Sequence, residues 1–446
     1  MSFSAENRLE ELVSLVREGH TSAFIERAWN LEPADLADVL ATLDEDERLD
    51  LVRVLPPELS SQALAEMSGD THPEETLAAL DPVQAAGIVE ELEDDDAADL
   101  LGELEPEQQE RILAEVEDRR DVDRLLRYDD ETAGGLMTTA LVTVTELDTV
   151  GFALEAVRRQ ASDVVDVTEI FVVDTARRLV GTLSFKQLVV SGPEAQVRDV
   201  MEDAEIRVVP DEDQEDVARL MARYNVPSVP VVDASGRLLG RVTYDDVIDV
   251  TEAEATEDLL RFGGVSPDEE LGGRWSSAVR SRLPWLYLNL LTAFMAASVV
   301  YFFEATIKQI TALAIWMPII AGMGGNAGTQ SLAVTVRRLS LGQVPVDRLR
   351  AVIQKEMLVG IFNGFAIGLV VSLVSLLIGA EWRLGLVVFL AMTGNLFVAG
   401  TAGSFVPVLL ERMGIDPAVA SSIFVTTLTD ICGFGLLLGL ASVLLL

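Results

Sequence analysis

The sequence predicts a multidomain membrane protein. The expected order is an α-helical, solenoid-like N-terminal domain, a tandem α/β pair, a connecting helix and a five-helix transmembrane domain. Three observations carry that prediction. Charge is segregated: of the 73 Asp and Glu residues 66 precede Ser276, and of the 33 Lys and Arg residues ten follow it. Five long apolar segments succeed one another beyond Pro284. A stretch between 136 and 250 repeats itself without a gap. A chain of 446 residues has room for several domains, and we place them at 1–130, 131–199, 200–250, 251–276 and 277–446.

Residues 1–130 read as short helices that start on acids or prolines. Examples are Glu32-Pro-Ala-Asp, Pro56-Pro-Glu-Leu, Asp81-Pro-Val-Gln, Glu93-Asp-Asp-Asp and Glu105-Pro-Glu-Gln. Proline in the first turn and acids near it are helix-start signals. Their recurrence about every dozen residues predicts a small helical solenoid. His20 and His72 are far apart in polar surroundings, and each is expected to be a solvated surface residue.

In the repeat, Phe171-Val-Val-Asp-Thr-Ala-Arg-Arg-Leu-Val-Gly181 matches Pro230-Val-Val-Asp-Ala-Ser-Gly-Arg-Leu-Leu-Gly240. Each copy predicts strand, turn, strand and helix, and the pair resembles a CBS-domain tandem, a regulatory module. That family's ribose-contacting Thr-x-x-Asp pattern falls on Thr243 and Asp246 in the second copy, but on Ser184 and Gln187 in the first. The resemblance therefore implies an ATP site at Thr243 and Asp246. Residues 249–270 then carry Asp249, Glu252, Glu254, Glu257 and Asp258 on a helix leading toward the membrane. Carboxylates so concentrated repel one another unless cations neutralise them.

The five apolar segments run approximately 284–303, 310–336, 356–379, 384–410 and 418–446, each long enough for the roughly 20 residues of a spanning helix. Arg274, Arg280, Arg282, Arg337, Arg338, Arg348, Arg350 and Lys355 lie on one side, against Lys308 and Arg383 on the other. The positive-inside rule then puts the N-terminus in the cytoplasm and the C-terminus outside. The start of the chain has no basic region followed by an apolar core, so no signal peptide is expected. Gly360, Gly364 and Gly368 on the third span, and Gly435 and Gly439 on the fifth, have the spacing of close helix contacts.

Two polar features interrupt this apolar half. The second segment contains Pro318-Ile-Ile-Ala-Gly-Met-Gly-Gly-Asn-Ala-Gly-Thr-Gln330, and such polarity in a span must face a cavity or other protein. The fifth contains Val425-Thr-Thr-Leu-Thr-Asp430, and a carboxylate near mid-bilayer costs about 2.5–3.5 kcal/mol on insertion scales. Counting from the inner ends, Asn326 and Asp430 reach similar depth at about 1.5 Å per residue. Carboxylate, amide and carbonyl oxygens suit Mg²⁺, Ca²⁺ or Mn²⁺.

The acidity excludes nucleic-acid binding, which needs a basic face. With lysine confined to Lys186, Lys308 and Lys355, it fits a surface adapted to saline surroundings as well as one that attracts cations. The single cysteine, Cys432, excludes a disulfide framework. No nucleophile–base pair or phosphate loop points to an enzyme.

Taken in order, these parts resemble the MgtE family of Mg²⁺ channels along nearly the whole chain. The most specific matches are Leu126-Arg-Tyr-Asp-Asp-Glu-Thr-Ala-Gly-Gly-Leu-Met137, the motif at 317–330, and Thr427-Leu-Thr-Asp430. The resemblance implies a homodimer in the lipid bilayer of the cell membrane, with the second and fifth spans lining a central pore. Asp430 and Thr426 would hold hydrated Mg²⁺, Asn326 and Gly325 would shape the path, and Asp416 would mark its cytoplasmic mouth. It also implies closure by cytosolic Mg²⁺ at Asp95, Asp99, Asp249, Glu254, Glu257 and Asp258, tuned by ATP. The alternatives are a membrane-anchored Mg²⁺ or nucleotide sensor without transport, and a transporter of Mn²⁺, Co²⁺ or Ca²⁺.

Overall fold

The computed structural model describes residues 3–160, 167–266, 269, 275–340, 349–413 and 421–446. It divides into two compact units, Met1–Glu252 and Ala253–Leu446.

The first unit opens with ten helices among the described residues: α1 (Phe3–Arg17), α2 (Thr21–Ala28), α3 (Pro33–Thr42), α4 (Glu45–Val52), α5 (Pro57–Ala65), α6 (Pro73–Ala78), α7 (Pro82–Val89), α8 (Asp94–Gly102), α9 (Pro106–Leu113) and α10 (Val122–Leu125). Five of them carry Pro in the first turn, where its missing N–H is no loss. Asp44 closes α4 with a reciprocal capping box to Glu47, and Asp81 caps α7 through the Val83 amide. Helices α3, α4 and α5 start twelve residues apart, as do α7, α8 and α9. Between α5 and α6 a 3₁₀ turn at Gly69–Thr71 and a left-handed His72 (φ 52°) break the period. Each short helix buries only a few apolar side chains. The shared core of Phe24, Leu36, Leu40, Leu64, Leu77 and Leu101 supplies what no single unit could.

A pair of α/β copies follows: β1 (Thr143–Thr145), α11 (Val150–Gln160), β2 (Glu169–Val173), β3 (Leu179–Ser184), α12 (Phe185–Val190), β4 (Glu202–Asp203), α13 (Gln214–Tyr224), β5 (Ser228–Val232), β6 (Leu238–Thr243) and α14 (Tyr244–Phe262). One sheet has the order β1-β2-β3-β4 and the other pairs β5 with β6. The duplication extends to detail. The antiparallel pairs β2–β3 and β5–β6 share the register Phe171↔Thr182 and Pro230↔Arg241, with irregularities at matching places. In both turns an Asp collects two backbone amides, Asp174 from Ala176 and Arg178, Asp233 from Ser235 and Arg237. The left-handed position is Gly236 in the second turn and Arg177 (φ 61°) in the first, the costlier choice.

The segments ahead of each copy are crossed. Thr138 exchanges backbone hydrogen bonds with Arg241 of the second copy, and β4, which follows the first copy, pairs with β3. A side chain at Gly240 would collide with the Thr138 carbonyl at 2.7 Å, and one at Gly181 with the Glu202 carbonyl at 2.7 Å. The two repeated glycines therefore admit equivalent crossing strands.

Helix α14 grows directly out of β6 and stops at Gly263 and Gly264, the latter at φ +74°. The expected connecting helix is thus a continuation of the last helix of the repeat.

Among the described residues the second unit holds five long helices, α15 (Trp275–Phe302), α17 (Leu313–Ser340), α18 (Leu349–Leu377), α19 (Trp382–Arg412) and α20 (Ser421–Leu444), with the short α16 (Glu304–Gln309) between the first two. Four of them, all but α17, are long and apolar enough to cross a membrane. Helix α17 falls short because its glycines, Asn326, Thr329 and Gln330 dilute its apolar character. Helix α15 starts nine residues before the expected Pro284, which it accommodates internally.

Glycine governs packing here, partly as expected. Added side chains at Gly360, Gly364 and Gly368 of α18 would strike Leu396, Thr393 and Phe389 of α19 at 2.5, 2.9 and 3.0 Å. On α20 the expectation fails: Gly435 meets nothing within 4 Å and Gly439 only the Phe303 ring edge at 3.8 Å. The close contact falls instead on Gly433, against Asn395 and Ile320. Spacing of small residues marks a helix that can be approached and leaves open which glycine is used.

Candidate functional site

Three acids open α8, Asp94, Asp95 and Asp96, where the positive end of the helix dipole favours them. Their roles then diverge. Asp94 is a latch: it accepts from the Thr138 hydroxyl at 2.7 Å, from the Thr139 amide at 3.1 Å and from the Thr139 hydroxyl. Asp95 is only 9% exposed and its Oδ1 has no hydrogen-bond partner among the described residues. Burial, and after it the charge of Asp246, pushes the Asp95 carboxyl well above the usual range. Burial followed by Asp246 lifts Asp96 to about 7. Burial followed by Asp130 lifts Asp99 to about 7. Asp246 itself reaches about 6, because burial outweighs the lowering effect of the Thr243 hydroxyl that donates to it at 2.5 Å. Asp99 retains solvent access, so an ion can reach the cluster from its side.

No Lys or Arg is among the groups that set these four carboxyls. Like charges gathered without a basic side chain take up either protons or a multivalent cation. The structure therefore gathers Asp95 and Asp99, the two acids of this region singled out from the sequence, with Asp96, Asp130 and Asp246. The signals were in view, as the Asp94-Asp95-Asp96 run and as Asp130 inside the motif at 126–137. Only folding shows that they converge.

Of the connecting-helix acids, Asp249 is raised by burial, Asp245 and Glu252. Glu254, Glu257 and Asp258 lie in the second unit, where Glu257 forms an ion pair with Arg261 one turn on. His20 is exposed as expected, but His72 places its Nδ1 3.0 Å from Glu74 Oε1 and is not an isolated surface side chain.

The two positions matched to a ribose contact behave differently. Thr243 and Asp246 offer a hydroxyl and a carboxylate at the start of α14, a pair suited to a ribose diol. In the first copy Ser184 and Gln187 form a capping box, and Gln187 Nε2 donates to Glu202 at 2.9 Å. The first copy lacks a carboxylate at that position.

In the membrane-type unit, α17 and α20 pack through glycine. An added side chain at Gly328 would lie 2.5 Å from Val425 Cγ1, and one at Gly324 would lie 3.2 Å from Thr429 Cβ. This antiparallel register sets Asn326 level with Thr427, and Asp430 three residues, about 4.5 Å, further along. Asn395 of α19, which sequence reading missed, is fully buried and donates from Nδ2 to the Ile320 carbonyl of α17 at 2.9 Å. It fills the notch left by Gly324 and Gly433. An Asn amid apolar residues gave no sign of which helix it braces.

The opposite face of α17 is open. Gly322 and Gly325 have nothing within 4 Å of an added side chain, and Asn326 and Gln330 are exposed. On α20, Thr426 and Asp430 are half-buried, one turn apart. Asp416 lies outside the described residues.

A family model described as the MgtE intracellular N domain matches residues 31–131, CBS-domain models match 133–191 and 197–252, and a model described as MgtE, divalent cation transporter, matches 317–440. The magnesium transporter MgtE of Thermus thermophilus is 40% identical over 338 residues, 73% of each chain. The magnesium transporter MgtE of Enterococcus faecalis is 37% identical over 73% of this chain and 72% of its own. A crystal structure of the cytosolic domain of the Mg²⁺ channel MgtE in complex with ATP is 38% identical, with a TM-score of 0.51, and covers 54% of this chain and 99% of its own. With its four long apolar helices, its CBS pair and these matches, the chain belongs to the MgtE family of magnesium transporters.

Proposed function

We propose that this chain conducts Mg²⁺ into the cell through a pore formed where two copies meet. The observation that carries this reading is the open polar face of α17. Gly322, Gly325, Asn326 and Gln330 are uncovered within one chain, on the helix whose other face packs against the helix bearing Asp430. Polar residues at membrane depth must face water or protein, and a second copy supplies both. Asp430 and the Thr426 carbonyl then hold a largely hydrated ion, since Mg²⁺ gives up its water reluctantly and needs few protein ligands. Asn326 and Gly325 shape the path, and Asp416 attracts cations at the cytoplasmic mouth.

Cytosolic Mg²⁺ closes the pore by neutralising Asp95, Asp96, Asp99, Asp130 and Asp246, which favours the compact arrangement of the first unit. Asp249, Glu254, Glu257 and Asp258 extend the same response along α14, the helix that leads into the membrane unit. ATP bound at Thr243 and Asp246 shifts it, because Asp246 belongs to both sites. The N-terminus is cytoplasmic and the C-terminus outside.

Mg²⁺ flux into vesicles reconstituted with Asp430→Ala tests the pore. The variant is expected to abolish flux while size-exclusion elution and unfolding temperature stay unchanged. Wild-type flux from it would overturn the assignment.

A further inference from the structure

The break in the helical period at Gly69–Thr71 places a histidine beside two glutamates. His72 Nδ1, and one carboxylate oxygen each of Glu74 and Glu75, lie within 4.8 Å of one another. Donors of one ion bonded at about 2.0–2.2 Å stand at most about 4.4 Å apart. Rotation of the exposed Glu75 side chain closes that difference. Glu74 is the decisive member. Its side chain is 9% exposed, one oxygen stands 3.0 Å from His72 Nδ1, and the other has no hydrogen-bond partner among the described residues. A buried carboxylate oxygen without a donor is costly unless a cation takes it.

The surroundings favour access and rigidity. Arg48, almost fully buried, donates to the Thr71 carbonyl and so fixes the turn that presents His72. Pro73 follows directly as the first residue of α6. A hollow of about 480 Å³, lined in part by Glu45, Asp46, Arg48, His72 and Glu75, gives access to His72 and Glu75.

We propose that His72, Glu74 and Glu75 bind a first-row transition divalent cation. Imidazole nitrogen beside carboxylate oxygen selects Zn²⁺, Co²⁺ or Ni²⁺ over Mg²⁺, which prefers oxygen alone. The site is separate from the Asp95 cluster and differs from it in chemistry, since that cluster is all oxygen. By tying His72 to the first turn of α6, a bound ion stiffens that turn.

The test uses the full chain, purified metal-free in detergent and held in excess Mg²⁺ to fill the oxygen sites, then titrated with Co²⁺. Equilibrium dialysis and visible absorption count the bound Co²⁺, and thermal unfolding reports its effect. Wild type is expected to take one Mg²⁺-resistant Co²⁺ per chain and to unfold at higher temperature with it. His72→Asn, which tolerates the left-handed backbone, and Glu75→Gln, at an exposed position, are each expected to lose that ion and that rise. Their unfolding temperature without Co²⁺ and their response to Mg²⁺ should match wild type. The proposal is overturned if wild type binds no Co²⁺ against excess Mg²⁺, or if His72→Asn holds it as tightly as wild type.

Discussion

The acidic cluster on α8 and the glycine seams of the membrane unit solve opposite packing problems. In the first unit, Asp95, Asp96, Asp99 and Asp246 crowd together with no basic side chain among the groups that set their carboxyls. That arrangement depends on what the solution supplies, protons or cations. In the second unit α18 meets α19, and α17 meets α20, through glycines that let backbones approach. Those contacts are steric and indifferent to ions. A sensor benefits from many carboxylates that bind firmly. A conducting path needs binding weak enough to release, and in the pore we propose a single carboxylate, Asp430, would meet that need.

The largest expected effect lies on the steric side. Gly360→Leu forces a side chain to within 2.5 Å of the Leu396 carbonyl, a backbone atom that cannot rotate away. We expect little folded protein by fluorescence-detected size exclusion, with no rescue by Mg²⁺. Rescue by Mg²⁺ would erase the contrast between the units.

Next comes the ionic side, where the sign follows from linkage. Asp96 and Asp99 at about 7, and Asp246 at about 6, lie above their ordinary value of 3.8. The folded cluster therefore holds protons more tightly than the unfolded chain. It carries no penalty below about pH 4, and a growing one as pH rises through 6 and 7. Without Mg²⁺, the unfolding temperature of the first unit should fall by about 5 °C or more between pH 5 and pH 8. Saturating Mg²⁺ at pH 8 should restore it, and Asp95→Asn should shrink both changes. An unfolding temperature equal at the two pH values would remove the cluster from the sensor.

The smallest effect is expected at the Thr243 hydroxyl. Thr243→Val removes a donor to Asp246 and should cost about 1 kcal/mol. It should weaken ATP binding, measured by calorimetry, and leave Mg²⁺ flux at low cytosolic Mg²⁺ unchanged. Undiminished ATP binding would assign Thr243 to helix capping alone.

Much of the fold is legible in the sequence, because it rests on local rules. The twelve-residue recurrence of Pro and acidic starts became α3 to α5 and α7 to α9, and the gapless repeat became two hairpins with the same register and turn chemistry. The candidate sites were readable only in part. Asp95, Asp99, Asp430 and the glycine-rich run stood out as charge or polarity in unusual places. Asp246 was visible as a nucleotide contact and not as a neighbour of α8. His72 looked isolated because only a left-handed backbone turns it onto Glu74. Asn395 and Gly433 gave no signal, since their role is set by a facing helix.

The sequence alone thus determined helix starts, the duplication, the apolar segments and the residues that are costly where they stand, all properties of near neighbours along the chain. The tertiary structure decided which like-charged groups share one site, which glycine lies against which helix, and which face of α17 is left open. Those depend on surfaces brought together from distant parts of the chain, where burial and Coulomb repulsion act through space and carry no mark in local spacing.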